Sequence, residues 1–226
     1  MIFCYEDFVE SLIDAGFSMG GGNDEGIYAV INWSWGKMPP YQTPVEWHNG
    51  DPETDPWEWR VRVLDERDDI AYGKLFFKKS GFITKEWYPY FLATRRGDAT
   101  FEEAYADGKI SHNAKRIYEA VAGAEVLPVP LIKEHAGFSK DDKSAFDKAL
   151  TELQMGMYLT VFGTDERFSQ WAATSFCTTE RFFGSEVFET AHGITKEAAH
   201  AKIREQVLKL NPNAQDKKIT KFIFGS

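Results

Sequence analysis

Between Ser111 and Thr178 the hydrophobic period changes once, from helical to alternating, and that change restricts the fold more than any other feature of the sequence. Three helical stretches come first: Ser111 to Ala122 with Ile117 and Val121 on one face, Pro130 to Ala136 ended by Gly137, and Ser139 to Gln154 with Phe146, Leu150 and Leu153 in line. Two β-type runs follow, Met157 to Phe162 and Trp171 to Thr178, with Gly163 to Gln170 as the turn. Three helices followed by a hairpin is the order of a winged helix-turn-helix. The expected fold is therefore mostly α with small β-hairpins around a winged helix-turn-helix. Tandem winged-helix units are the variant in which the first half is a diverged partner of the second, although no strict repeat is visible in the sequence.

Upstream, Tyr5 to Gly16 reads as an amphipathic helix and Gly26 to Trp35 as a strand or buried segment. Gly36 to Pro56 is a long loop rich in Pro, Gly and acids, and a connection of that length in a compact domain usually carries function. Asp55 and Pro56 then stand in the preferred order of N-cap and first helical residue for a helix over Trp57 to Tyr72. Ser80-Gly81 signals a turn between Phe76-Phe77 and Phe82-Ile83, a helix is expected over Lys85 to Thr94, and Thr100 with Glu103 forms a capping box for a helix to Asp107. After Glu186 two or three helices run to Phe224, with Asn211-Pro212 between them. The division expected from this pattern is an N-terminal helical or winged-helix-like region over 1–108, a winged helix over 109–180 and C-terminal helices over 181–226.

A hydrophobic fraction of 43% with 15% aromatic residues excludes a disordered chain. No run reaches the roughly 18 apolar residues of a membrane span, and MIFCYEDFVE has acids where a signal peptide begins with bases, so a soluble, cytoplasmic protein is expected. Two cysteines, Cys4 and Cys177, make neither a disulfide framework nor a zinc site, and the five histidines are scattered. Gly20-Gly21-Gly22 lacks the Lys-Ser/Thr of a phosphate loop, and no nucleotide-fold, esterase or zinc-protease motif is present. No cofactor and no metal are expected.

Charge is the second constraint. The chain carries 26 Lys plus Arg against 35 Asp plus Glu, a net charge of −9, which opposes nucleic acid unless positive charge is concentrated locally. It is concentrated: from Lys74 to Arg96 six cations (Lys74, Lys78, Lys79, Lys85, Arg95 and Arg96) face the single acid Glu86, so this segment is +5 and the remainder −14. Phe76, Phe77, Phe82, Trp87, Tyr88, Tyr90 and Phe91 are interleaved with it, either as rings for stacking bases or as the core side of the same elements. The third helix of the winged unit is by contrast −1 between Ser139 and Gln154, a poor major-groove reader. The loop from Glu46 to Arg60 supplies His48, Asp51 and Asp55 as candidate acid–base groups. Trp47, Trp57, Trp59 and Arg60 are its candidate pocket lining for a planar ligand. For Asp55, capping a helix is the competing use.

The runs WHNGDPETDPWEWRVR, AYGKLFFKKSGFITKEWYPYF and ALTELQMGMYLTVFG together resemble the bacterial proteins related to AlkZ, over roughly residues 1 to 210. AlkZ-type enzymes, the YcaQ-like DNA glycosylases, are built from winged-helix domains, so the resemblance implies that fold and, with it, DNA binding and a DNA-repair setting. It also implies damaged-base recognition and metal-independent hydrolysis of N-glycosidic bonds. The Gln-x-Gln motif that holds water in those enzymes is absent: Gln42, Gln154, Gln170, Gln206 and Gln215 include no pair separated by one residue. No catalytic residue carries over from the family. The alternative on the same fold is a non-catalytic module that binds a small molecule or a protein. DNA and a small molecule are thus candidate partners, with a protein under the alternative reading, and no membrane is.

Overall fold

The computed structural model describes residues 1–165, 167 and 172–225. The chain starts with α1 (Tyr5–Ala15) and β1 (Phe17–Met19), crosses an irregular stretch over 20–55, and continues through α2 (Pro56–Glu66), β2 (Ile70–Phe76) and β3 (Lys79–Thr84). After α3 (Tyr88–Arg95) and α4 (Phe101–Ala106) a second series follows: α5 (His112–Ala124), β4 (Val126–Pro128), α6 (Val129–His135), a 3-10 turn at Lys140–Asp142, α7 (Lys143–Met155), β5 (Leu159–Asp165) and β6 (Ala173–Thr178). Four helices close the chain, α8 (Thr179–Phe183), α9 (Ser185–His192), α10 (Lys196–Leu210) and α11 (Asp216–Phe224). The fold is thus largely helical with two small antiparallel sheets.

Each series builds one three-stranded sheet, in the order β1-β3-β2 for the first and β4-β6-β5 for the second. Helix, strand, linker, helix, strand, strand is common to both. Each sheet also shifts register in its second strand, between Gly73 and Phe76 in one and between Val161 and Gly163 in the other. The repeat invisible in the sequence is therefore present in the topology. One difference matters for the site: where the second series has α6, the first has the irregular stretch 20–55.

Several local expectations hold. Asp55 caps α2 with Pro56 in its first turn, and the Thr100–Glu103 capping box forms. Others are corrected. Of the two readings for Gly26 to Trp35, the buried segment holds and the strand does not: Ile27, Val30, Ile31 and Trp33 are buried as the pattern requires, but no strand forms over these residues. Val30 N–H donates to Ser18 Oγ, Tyr28 O accepts from Met19 N–H, and the Gly26 and Ile27 carbonyls accept from the Asn211 side chain. Once side chains satisfy the backbone, a sheet is not needed to bury it. The helix expected to reach Tyr72 stops at Glu66, because Arg67 is extended and held by Asp69 at 2.6 Å, and the alternating residues beyond it enter β2.

The hairpin turn lies at Phe77-Lys78, both with positive φ (51° and 60°), instead of at Ser80-Gly81. Gly81 is inside β3 for a packing reason, since a Cβ there would stand 2.5 Å from the Phe76 ring and 2.9 Å from Ser18 O. Of the second hairpin, the expected turn residue Gln170 and strand residue Trp171 lie outside the described residues.

Three clusters of buried side chains hold the molecule. One joins α1, α2 and the 20–55 stretch through Phe8, Leu12, Trp33, Val45 and Trp59. One fills the second series around Ile117, Phe146 and Leu153. The third sets the first sheet and α3 against the C-terminal helices, with Phe76 stacked on Phe222 at 4.0 Å between centroids. The rings of the basic segment belong to these clusters: Phe76, Phe82, Trp87, Tyr88 and Phe91 are buried, and Phe77 and Tyr90 pack against them. They form core and not a stacking surface.

Candidate nucleic-acid interface

A cavity of about 550 Å³ opens between the β2–β3 hairpin, the start of α2 and the 20–55 stretch. It gathers residues that the sequence only placed near one another. From the loop come Trp47 and His48, from α2 Trp57 and Arg60, and from the hairpin Lys74, Lys78 and Lys79. The cavity also takes in Trp35, Tyr72, Asp24 and Glu25, none of which the sequence singled out. Trp35 closes the run expected as a strand or buried segment, yet the residue is 73% exposed, which only its place before Gly36 signals, and weakly.

The loop is wound tightly enough to fix these rings. Asp55 is 1% exposed; its Oδ1 accepts from the backbone N–H of His48 (2.9 Å) and Trp57 (2.8 Å), and its Oδ2 from that of Gly50 (2.9 Å). That carboxylate is a fastener, with its lone pairs directed at the loop and the helix start. His48 is consequently held in the left-handed region (φ 64°), its ring between Trp57 (4.8 Å between centroids) and Trp35 (5.5 Å). Trp47 donates from Nε1 to Trp33 O at 3.0 Å, and Gly22 lets the 20–22 turn approach Ser34, whose N would lie 2.7 Å from a Cβ at that position.

The other expected residues separate. Asp51 is turned into its own loop, accepting from Glu53 N–H and Thr54 Oγ1, and does not line the cavity. Trp59 is fully buried and donates to Pro52 O, so it belongs to the core and not to the pocket lining. Lys85 pairs with Glu186 at 2.9 Å. Arg95 faces inward, its guanidinium donating to the carbonyls of Leu75, Met155, Phe222 and Ile223 at 2.8 to 3.0 Å. It clamps the ends of α7 and α11 onto β2, where helix C-termini favour a cation, and burial lowers its pKa. Arg96, whose side chain is 8% exposed, is held by Glu180 and Met157 O and covers the Tyr158 ring.

What remains is a cavity with uneven charge. Asp24 is bonded to Lys37, and Glu25 to both Lys79 and Lys218; these hydrogen bonds keep both carboxyls below their usual range. Arg60 lies 3.8 Å over the Trp57 ring with its Nε unpartnered, and among the described residues neither it nor Lys74 nor Lys78 has a carboxylate within ion-pair distance. Lys78 is carried on the strained turn, where a left-handed non-glycine residue costs about 1–2 kcal/mol. Planar rings beside uncompensated cations can hold an aromatic ligand that carries phosphate. Among the described residues no cluster of His, Cys, Asp or Glu could hold a metal ion, and no helix is long and apolar enough to cross a membrane.

No curated protein matches the sequence. Among solved structures the chain is similar to Streptomyces sahachiroi DNA glycosylase AlkZ, at 15% identity and a TM-score of 0.40; the match covers 76% of this chain and 51% of that one, so the chain spans about half that protein's length. The sequence model of the AlkZ-related family runs over residues 2–224, from before α1 to the end of α11, and the chain belongs to that family.

Proposed function

We propose that the protein binds DNA across the β2–β3 hairpin and admits one displaced, damaged base to the cavity, with both helix–sheet series acting as winged helices. One observation carries this reading: Trp35, His48 and Trp57 share a single cavity with Arg60, Lys74 and Lys78, three cations without carboxylate partners among the described residues. A damaged or unpaired base leaves the stack at least cost, and an aromatic pocket of this size suits one base. Membership of the AlkZ-related family is consistent with such a ligand.

The third helix of the second series, α7, serves packing in this reading. Leu150, Thr151, Leu153 and Gln154 are buried, and its exposed start carries the acidic balance seen in the sequence. Bond cleavage is a separate matter. Of the three candidate catalytic residues only His48 faces the cavity, while Asp55 and Asp51 are engaged by the loop. N-glycosidic hydrolysis would rest on His48 activating water, since among the described residues the cavity's two carboxylates, Asp24 and Glu25, are already bonded to lysines.

The test is fluorescence anisotropy with duplexes carrying alkylated bases across a salt series, followed by alkali cleavage of abasic sites. Expected are preference for the damaged duplex, steep salt dependence, and loss of affinity in Lys78→Glu. Binding that ignores salt and this substitution refutes the reading. Quenching of Trp fluorescence by a free planar ligand, without any response to DNA, would assign the cavity to a small molecule.

A further inference from the structure

The cavity is one of three that meet at the same lysine. On the far side of the hairpin a second cavity of about 820 Å³ lies between α7 and the end of α11, floored by Met155 and Phe224 and edged by Lys148. A smaller space of about 240 Å³ is lined by Tyr72, Lys74 and Gln154. Lys74 lines all three, and Lys78 lines the two larger ones. The hairpin is therefore a ridge with a hollow on each side and two cations on its crest.

The ridge is fixed by the second series. Gln154 of α7 accepts from Lys74 N–H with Oε1 at 2.9 Å and donates from Nε2 to Leu150 O at 3.0 Å. The same Oε1 would stand 3.1 Å from a Cβ on Gly73, so Gln154 of α7 packs directly on β2 beside Lys74. Within the second cavity the charges do not cancel. Among the described lining residues Arg95, Lys74, Lys78 and Lys148 stand against Asp147 and Glu152; Arg95 is committed to carbonyls and Glu152 to Ser111 N–H and Oγ, which leaves the three lysines as the uncommitted cations. The Phe224 ring, stacked on His200 at 5.7 Å with a 23° tilt and with Lys196 Nζ 5.2 Å from its centroid, adds a planar surface.

We infer that the second cavity is a binding subsite for the nucleotide next to the one in the main cavity, with the intervening phosphate held by Lys74 and Lys78 on the ridge. The inference rests on reading the main cavity as a base pocket. Its ligand is a strand of at least two nucleotides: a base over Phe224 and Met155, and a following phosphate against Lys148. Spacing successive bases over apolar platforms with lysines between them is how single strands are tracked without base-specific contacts.

The experiment uses the full chain, with Trp quenching read for thymidine monophosphate and for hexathymidylate, in wild type and in Lys148→Glu. Lys148 is exposed and unpaired among the described residues, so folding is not at risk. The variant is expected to bind the mononucleotide as wild type does, to bind the hexamer several-fold more weakly, and to show a log–log salt slope shallower by about 0.7. Unchanged hexamer affinity and slope, or an equal loss for both probes, overturns the second subsite while leaving the base pocket standing. Wild-type protein that binds neither probe removes the base pocket itself, and the subsite with it.

Discussion

Replacing Asp55 separates a structural carboxylate from a catalytic one. The side chain is buried and accepts three backbone N–H groups, from His48, Gly50 and Trp57, at 2.8 to 2.9 Å. Loss of an N-cap alone costs about 1 kcal/mol, and hydrogen bonds to a charged group contribute about 1.5–3 kcal/mol each. His48 and Gly50 are exposed enough for water to replace part of the loss. The loop is also tied by Trp59 and Arg62, which both donate to Pro52 O, so it does not open completely. Asp55→Ala is therefore expected to cost about 3 kcal/mol, with a Tm lower by about 6–12 °C for a chain of this size. Asp55→Asn, which keeps one acceptor but points an amide donor at a backbone N–H, should fall between it and wild type. Thermal unfolding followed by Trp fluorescence measures both, and DNA affinity at a temperature where each variant is folded should drop in parallel with stability, because Trp57 and His48 lose their anchor. An Asn variant that melts with wild type yet loses binding or cleavage would refute the argument, since the carboxylate would then act on the ligand.

Lys78→Gly should raise stability by about 0.5–1 kcal/mol, because glycine relieves the left-handed turn while losing more entropy on folding, and should weaken oligonucleotide binding; urea unfolding and anisotropy must move in opposite directions. Burial pushes the Cys177 thiol up to about 12. A thiol reagent at pH 8 should thus modify Cys4 alone in the native chain and both cysteines in denaturant. The unfolded chain releases the Cys177 proton near the ordinary thiol value of 9, while the folded chain retains it. This contribution to stability is therefore complete below that value and is lost as pH rises towards 12, which urea titrations at pH 8 and pH 10 would detect as a fall.

Local signals in the sequence were reliable where one residue decides the backbone. Asp55-Pro56, Thr100 with Glu103, and Gly16 after α1 each end or start a helix where expected. They failed where a group outside the local run decides: Asn211 satisfies the carbonyls of Gly26 and Ile27 from 184 or more residues away, and the Phe76 ring together with Ser18 O crowds Gly81 inside its strand. The site divides the same way. The +5 segment and the Trp-rich loop were legible by composition, and the cavity between them does unite His48, Trp47, Trp57 and Arg60 with Lys74, Lys78 and Lys79. Which cations remain available was not legible, since it is the carbonyls and the acid that the fold places against Arg95 and Arg96 that withdraw them.

The origin of the cavity follows from the repeat. Both series place a helix, a strand, a linker and a second helix before their hairpin, and in the second series α6 fills the linker position with Ile132 buried against α5 and the sheet. A regular helix there closes the surface. In the first series the linker is 20–55, which has no such helix and divides its buried side chains between two clusters, Ile27 and Ala29 in one and Val30, Ile31, Trp33 and Val45 in the other. Its polar and exposed parts, including Trp35 and His48, stand away from the sheet and leave a hollow over the hairpin. Restoring a helix at that position would remove the rings and the hollow together, whereas the cations of β2 would remain. The linker and not the hairpin is thus what sets an aromatic-lined hollow beside the cations of β2.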